Sequence, residues 1–415
     1  MTELTARELL VMLYEVALDS VDGRLLVNHW CRDNKQEISR QVSYTHCIAI
    51  GKAAASMLQG ALDVLPDFKK TLLICPPSKI TRQLKKNKNI ICLASSHPVP
   101  DETSIDAGGA LIRFLDDIGK NDNVLFLISG GTSSLVEVLA DGVDLSTLQK
   151  VNKYLLASAK DIHQINAWRQ QFSKIKGGGL LNWIEASSIT QLLLSDVKED
   201  KIEFIGSGLL VNTITQPDVD EYLSELLDDK SKKDVVAAKN TVMKLEQQVR
   251  TNVIGNIDIA KQAVSEAAKA EGLASFVHKE FLEGDACNLA EKLYVQLKDA
   301  KPGVHIWGGE STVLLPEKPG IGGRNQTLAL AFAQYIADTP DLHLLCAGTD
   351  GVDGNSNCAG AIVSSYTAKK AKSMGFDIDE ELSKANAGVL LMATDDLIRA
   401  ESNTNVMDIV IAYKI

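Results

Sequence analysis

Short apolar runs alternate with helical patterns along most of the chain, and the early runs end in glycine or small polar residues, an order that few folds satisfy. Strand-like runs at 47–50, 71–75, 90–94 and 124–128 are interleaved with helical spacings at 53–65 and 103–115, and 191–195 reads as a further strand. Ahead of them, 5–21 carries Leu9, Leu13, Val16 and Ala17 at helical intervals. Strand and helix in alternation predict an α/β fold, a parallel sheet with helices on both faces. Ligands of such sheets sit beyond the carboxyl ends of the strands. Those ends here are Gly51-Lys52, Ser96-His97-Pro98, Ser129-Gly130-Gly131 and Ser195-Asp196, so the chemistry is expected along one edge.

At 415 residues the chain exceeds what one core usually serves, which predicts two domains. A polar stretch at 217–248, with a charge run at 228–234, reads as the hinge between a domain at 1–240 and a smaller α/β domain at 241–415. The second block alternates again: helices at 257–271 and 286–298, strands at 274–279, 304–307, 342–347, 360–363 and 406–413. Its final segment, 404–415, is expected to pack back on the first domain, and a small ligand is expected in a cleft between the two. The net charge of −11 argues against wrapping nucleic acid or lying on anionic lipid, because both would repel it. It leaves room for a small phosphate ligand held by a few local cations. No run approaches the roughly 20 apolar residues of a membrane span, and the first residues lack the pattern of a signal peptide. Seven dispersed cysteines without zinc-ligand spacing read as reduced thiols in cytoplasm. A monomer or a homodimer is compatible with all of this.

Segment 308–326, GGESTVLLPEKPGIGGRNQ, concentrates an acid, a glycine turn and a guanidinium on a hairpin-like stretch. Glu310 follows one glycine pair, and Gly322 and Gly323 deliver Arg324, Asn325 and Gln326 to a helical pattern at 328–335. Amides at a glycine turn opening a helix attract anions, and arginine adds a planar fork for carboxylate or phosphate. The plainer alternative is a tight turn with Arg324 in solvent. Lys52 stands between an apolar run and a helix, either facing a phosphate or solvated; the flanking residues do not form a P-loop. Ser129, Gly130 and Gly131, followed by Thr132-Ser133-Ser134, allow a backbone to approach an anion closely. Asp196 closes an apolar strand, where a carboxylate ligates magnesium, accepts a hydroxyl proton or caps a turn. Asp350 and Asp353, three apart on a glycine-rich loop, carry a magnesium signal, although Asp-Gly pairs are also ordinary turn formers. His97 lies among prolines and reads as a loop-ordering residue, since no GxSxG nucleophile accompanies it. No GxGxxG follows a strand. Glycine turns, a few cations and several carboxylates together fit phosphoryl transfer.

In order along nearly the whole chain, the segments IGKAAASM (50–57), SHPVPDE (96–102), SGGTSSL (129–135), INAWRQQFSKIKGG (165–178), LLSDV (193–197), GGEST (308–312), GGRNQ (322–326), AGTDGVDG (347–354) and TNVMD (404–408) resemble the glycerate 2-kinase family with a MOFRL-type C-terminal domain. The resemblance implies a Rossmann-like doubly wound N-terminal domain, a smaller α/β domain, and ATP-dependent phosphorylation of D-glycerate at its 2-hydroxyl with Mg2+. It implies that Lys52 and Arg324 bind the substrate carboxylate or the transferring phosphoryl group, with Asp196 as acid/base or metal-orienting group. Glu310, Asp350 and Asp353 would lie near metal or phosphates; Ser129, Gly130, Gly131, Gly322, Gly323 and Asn325 would cradle an anion. Asn166, Arg169 and Lys176 match a further motif of the family and would line the ligand site. The chain departs from the family at Leu209 where proline is usual, at Thr327 where glutamate is usual, and at 399–404, which replaces a glycine-rich turn. A kinase for a related hydroxy acid, a hydroxypyruvate-type oxidoreductase and a non-catalytic nucleotide- or acid-binding relative remain as alternatives.

Overall fold

A computed structural model describes residues 4–35, 43–158, 160, 162–186, 188–213, 216–227 and 249–415. The charge run at 228–234 and the expected boundary at 240 lie outside the described residues. The chain forms two compact units, one of Gly23–Ile254 and one of Met1–Asp22 together with Gly255–Ile415. The division therefore differs from a single cut at 240: the first helix, α1 (Ala6–Ser20), is grouped with the C-terminal half.

The Gly23–Ile254 unit begins with α2 (Gly23–Asp33) and continues as β1 (His46–Ile50), α3 (Ala54–Leu62), β2 (Lys70–Cys75), β3 (Ile90–Ala94), α4 (Glu102–Asp116) and β4 (Asn123–Ile128). After these come α5 (Thr132–Leu135), α6 (Leu145–Ala157), α7 (Ile162–Gln171), β5 (Ser188–Leu194) and β6 (Val249–Gly255). The sheet order is β3-β2-β1-β4-β5-β6, and the pairings of β1 with β2 and β4, of β2 with β3 and of β4 with β5 are parallel. Alternate side chains of each strand enter opposite cores. Ile48 and Ile50 join Leu111 and Phe114 of α4 on one face, while Cys47 and Ala49 join Met57 and Leu58 of α3 on the other. Burial on both faces is why these strands read as continuous apolar runs. The order reverses between β1 and β4, and a ligand crevice of such sheets opens at that switch point.

The other unit contains α8 (Ile257–Ala270), β7 (Ser275–Asp285), α9 (Ala286–Lys298), β8 (Gly303–Thr312), α10 (Arg324–Tyr335), β9 (Leu342–Gly348), β10 (Gly360–Val363), β11 (Leu397–Ile398) and β12 (Asp408–Lys414). Its sheet, in order β11-β10-β9-β12-β8-β7, is mixed: β7 and β8 run parallel and the other pairings are antiparallel. The last strand does not return to the first unit's sheet, because β12 lies between β8 and β9, with Val410 opposite both Trp307 and Cys346. The expected hairpin at 308–326 is also absent. Strand β8 continues through Gly308 and Gly309 to Thr312, and its apolar signal stops at Trp307 only because glycines follow. Glu310 is consequently a strand residue.

Helix α1 shows why the N-terminus belongs here. Thr5 and Glu8 form a reciprocal capping box at its start, and Leu9, Leu10, Leu13, Tyr14 and Ala17 form its buried stripe. The helix packs on α8, β12 and β9, and the Tyr14 hydroxyl donates to the Gly348 carbonyl at 2.6 Å, at the end of β9. Burial, reinforced by Asp350, Asp408 and Asp353, raises the phenol pKa, so Tyr14 remains a donor. Among the described residues no helix is long and apolar enough to cross a membrane, and all seven cysteines are free. Tyr14→Phe is expected to cost about 1 kcal/mol, the usual net worth of one hydrogen bond, read as a lower urea midpoint. An unchanged midpoint would mean that the hydroxyl does not fasten α1.

Candidate active site

At the switch point of the first unit, Gly51 leaves β1 with φ +133°, a conformation that side-chain-bearing residues resist. A Cβ there would come within 2.1 Å of Ser129 Oγ. The Lys52 N–H donates to Gly130 O at 2.9 Å, and Ala53 N–H donates to Ser129 Oγ at 3.0 Å. Ser129, expected to bind a ligand, is thus fully buried and ties the two strand ends together. Gly131 (φ +83°) brings the backbone against neighbouring side chains: a Cβ on it would lie 2.9 Å from the His97 ring and 3.1 Å from Lys52 Cγ. Lys52, Gly131 and His97 are therefore gathered, with Lys52 half-buried.

Beside them lies a pocket of about 600 Å³, lined by the 97–100 loop, Gly131, Ser133, Ser134, the α6 residues Gln149, Asn152 and Lys153, and Arg169 of α7. Gln149, Asn152 and Lys153 fall at i, i+3 and i+4, one face of a helix. That spacing was the available sequence signal for residues not anticipated as part of the site. Arg169 Nε donates to Asn152 Oδ1 at 3.2 Å, and burial lowers the guanidinium pKa, partly offset by the charge of Glu137. From the same sequence motif, Asn166 is buried, and Lys176 does not reach the pocket lining. Its ammonium pairs with Glu137 at 2.5 Å, the two side chains being 2% and 0% exposed. Glu137 also accepts from Ser173 Oγ at 2.5 Å and Val138 N–H at 3.0 Å. Lys176 is therefore a structural cation; breaking a buried pair by removing one partner costs about 3–5 kcal/mol.

Asp196 follows β5 on the same carboxyl edge of the sheet and is half-buried. The loop behind it holds Glu199, Asp200 and Ser207 at positive φ. Strain of this kind needs surrounding structure to hold it, and Ser207 spends its hydroxyl on Ser133 of the pocket at 2.9 Å.

In the second unit, the start of α10 is closed by a protein carboxylate. Asp353 Oδ1 accepts Asn325 N–H at 3.0 Å and Oδ2 accepts Gln326 N–H at 2.8 Å. The helix-start amides expected to cradle a ligand are therefore already occupied, and Asn325 is buried. Gly323 is required by this approach, since a Cβ would lie 2.3 Å from Asp353 Oδ1; Gly322 precedes it at φ +145°. Burial pushes the Asp353 carboxyl up to about 7 against the pull of the two amides. Arg324 Nε donates to Asp408 Oδ2 at 2.5 Å, and Nη2 donates to Asp408 Oδ1 at 3.0 Å and Glu310 Oε1 at 2.8 Å. Burial opposes the Arg324 charge, but Asp408 and then Glu310 outweigh it and raise its pKa. Burial raises the Asp408 pKa, with Arg324 pulling it back. The sequence does not mark Asp408, because an acid opening an apolar strand resembles an ordinary strand boundary. The Arg324 side chain is 35% exposed, and among the described residues Nη1 has no hydrogen-bond partner, so one edge of the fork still faces outward.

No group of three or more His, Cys, Asp or Glu among the described residues is arranged to hold a metal ion unaided. Magnesium is commonly held by one or two carboxylates plus substrate phosphates and water. Half-buried Asp350, which accepts Val352 N–H at 3.0 Å, and Glu310 fit that mode. Asp353 does not, because both of its oxygens serve α10.

A domain of unknown function, DUF4147, matches residues 9–243, and the MOFRL family matches residues 303–408. The D-glycerate 2-kinase of Thermotoga maritima is 32% identical over 375 residues, spanning 88% of this chain and 89% of that one. A relative from Agrobacterium vitis that bears the provisional name hydroxypyruvate reductase is 33% identical over 383 residues, spanning 88% and 98%. The crystal structure of glycerate kinase from Thermotoga maritima superposes with a TM-score of 0.78 at 29% identity, covering 99% of each chain. With a domain match over more than half its length and relatives above 30% identity across most of it, the chain belongs to the glycerate 2-kinase family, composed here of DUF4147 and MOFRL domains.

Proposed function

We propose that this protein transfers the γ-phosphoryl group of ATP to the 2-hydroxyl of D-glycerate, yielding 2-phosphoglycerate and ADP. The observation that carries this reading is a pair of cations set by glycine turns, Lys52 at the β1/β4 switch point and Arg324 at the start of α10. Phosphoryl transfer depends on positioning and charge rather than on a covalent partner, and the names of the relatives support the same chemistry. The 2-hydroxyl oxygen forms a bond to the γ-phosphorus while the bond from that phosphorus to the β,γ-bridging oxygen breaks. The hydroxyl proton passes to Asp196. Lys52 in the first unit and the outward edge of Arg324 in the second are each suited to a phosphoryl group or a carboxylate. Asp408 and Glu310 fix the plane of that guanidinium. Asp350 and Glu310 are the carboxylates that would hold Mg2+, which neutralises charge on the β- and γ-phosphates when bound. Free cysteines fit a reducing cytoplasm.

The name of the Agrobacterium relative favours a second reading, reduction of hydroxypyruvate. Against it, β1 ends in Gly51-Lys52-Ala53 and carries no dinucleotide fingerprint.

With ATP, Mg2+ and D-glycerate, 31P NMR is expected to show 2-phosphoglycerate; hydroxypyruvate-dependent oxidation of NADH or NADPH without phosphorylation would replace this reading by the second. Lys52→Ala should lower kcat/KM at least about a hundredfold, as loss of a charge-stabilising group does. Arg324→Lys keeps a cation beside buried Asp408 and so should fold, yet it loses the bidentate geometry and should lose activity on a similar scale. Near-normal turnover in either variant would reassign that residue to structure.

A further inference from the structure

The pocket of the first unit contains a cation that makes no ion pair among the described residues, since Glu137, whose charge partly favours it, is bonded to Lys176. Arg169 is desolvated enough for its pKa to be lowered, yet among the described residues its guanidinium makes one hydrogen bond, from Nε to the neutral amide oxygen of Asn152. Lys176, from the same sequence motif, is by contrast neutralised at 2.5 Å by Glu137. A desolvated guanidinium is normally matched by a carboxylate or phosphate. Arg169 lines the pocket together with Lys153 and Ser133. Ser133 accepts from Ser207 and so keeps its own proton to donate, whereas Ser134 donates to Gly131 O, leaving both cations and one hydroxyl available there to one occupant. Engaging Nε from the side leaves the two terminal nitrogens, the paired donors that meet two oxygens of one anion. Helix α6 fixes the arrangement, because Gln149, on the same face as Asn152, donates from Nε2 to Pro100 O at 3.1 Å and anchors the 97–100 wall.

We propose that Asn152 is a positioning residue that holds Arg169 as an anion fork, so that this pocket takes an oxyanion, either the carboxylate of the hydroxy acid or a phosphate of the nucleotide. The two sources follow from the kinase reading above; the fork itself does not depend on it. Neutral asparagine is the informative choice, since aspartate at this position would orient the same nitrogen while cancelling the charge the ligand needs.

Calorimetric binding of D-glycerate, ATP and inorganic phosphate to the intact wild type, Arg169→Gln and Asn152→Asp tests it. Arg169→Gln should weaken at least one ligand by about thirtyfold or more, the scale of two charge-assisted hydrogen bonds. Asn152→Asp should weaken the same ligand at least about tenfold and raise Tm, because it pairs a desolvated cation. Loss confined to D-glycerate assigns the fork to the carboxylate, and loss confined to ATP and inorganic phosphate assigns it to phosphate. A wild type that binds none of the three, either variant binding all of them like wild type, or Asn152→Asp lowering affinity and Tm together, overturns the proposal. Arg169-dependent binding without phosphoryl transfer would instead remove the kinase reading and leave the fork standing.

Discussion

The carboxylate of Asp353 accepts two amide N–H groups from the first turn of α10, and the chemistry of the second unit depends on that contact. It fixes where the helix begins, and hence where Arg324, the first residue of that helix, projects. Arg324 in turn supplies the charge that lets Asp408 remain at the buried start of β12. Glu310, one strand over, completes the set from β8. Each group is tolerable only because the others are present: an unpaired buried carboxylate would be costly, and an arginine without such partners would not keep its plane. The sequence pattern of glycines and acids is thus satisfied first by internal electrostatics, and the outer edge of the guanidinium is left for a ligand.

The first unit solves the same problem with neutral groups. Its strand ends are bound by Ser129 Oγ and by backbone carbonyls, and glycine provides the close approach. The lysine and arginine of one motif then diverge. Lys176 enters a dry ion pair with Glu137, and Arg169 keeps its charge behind a single neutral hydrogen bond. Partner chemistry, more than burial, separates the cation that holds the fold from the cation suited to a ligand.

The alternation of apolar runs made the first sheet legible, because strands buried on both faces leave an unbroken hydrophobic signal. The expected strand ends carrying Lys52, the 129–131 turn and Asp196 do fall on one carboxyl edge. The extent of β8 was hidden by Gly308 and Gly309, which break a strand pattern without breaking the strand. Leu148, Val151 and Leu155, buried at helical intervals beside the polar residues Gln149, Asn152 and Lys153, are the pattern that marks α6 in the sequence. The roles of Asp353 and Lys176 depend on partners far away in sequence, Gln326 and Glu137, which no local pattern announces. Grouping α1 with the C-terminal half is equally non-local, resting on contacts such as that of Tyr14 with Gly348.

Because Gly23–Ile254 interrupts the other unit in sequence, the two units cannot mature in the same order during synthesis. All strands of the first sheet have been synthesised by Gly255, whereas the second sheet lacks an interior member, β12, until Asp408–Lys414 is added. Helix α1 is synthesised before either sheet, and its apolar stripe of Leu9, Leu10 and Leu13 has neither β9 nor β12 to cover it until those strands follow. That stripe therefore stays without its strand partners throughout synthesis of the first unit.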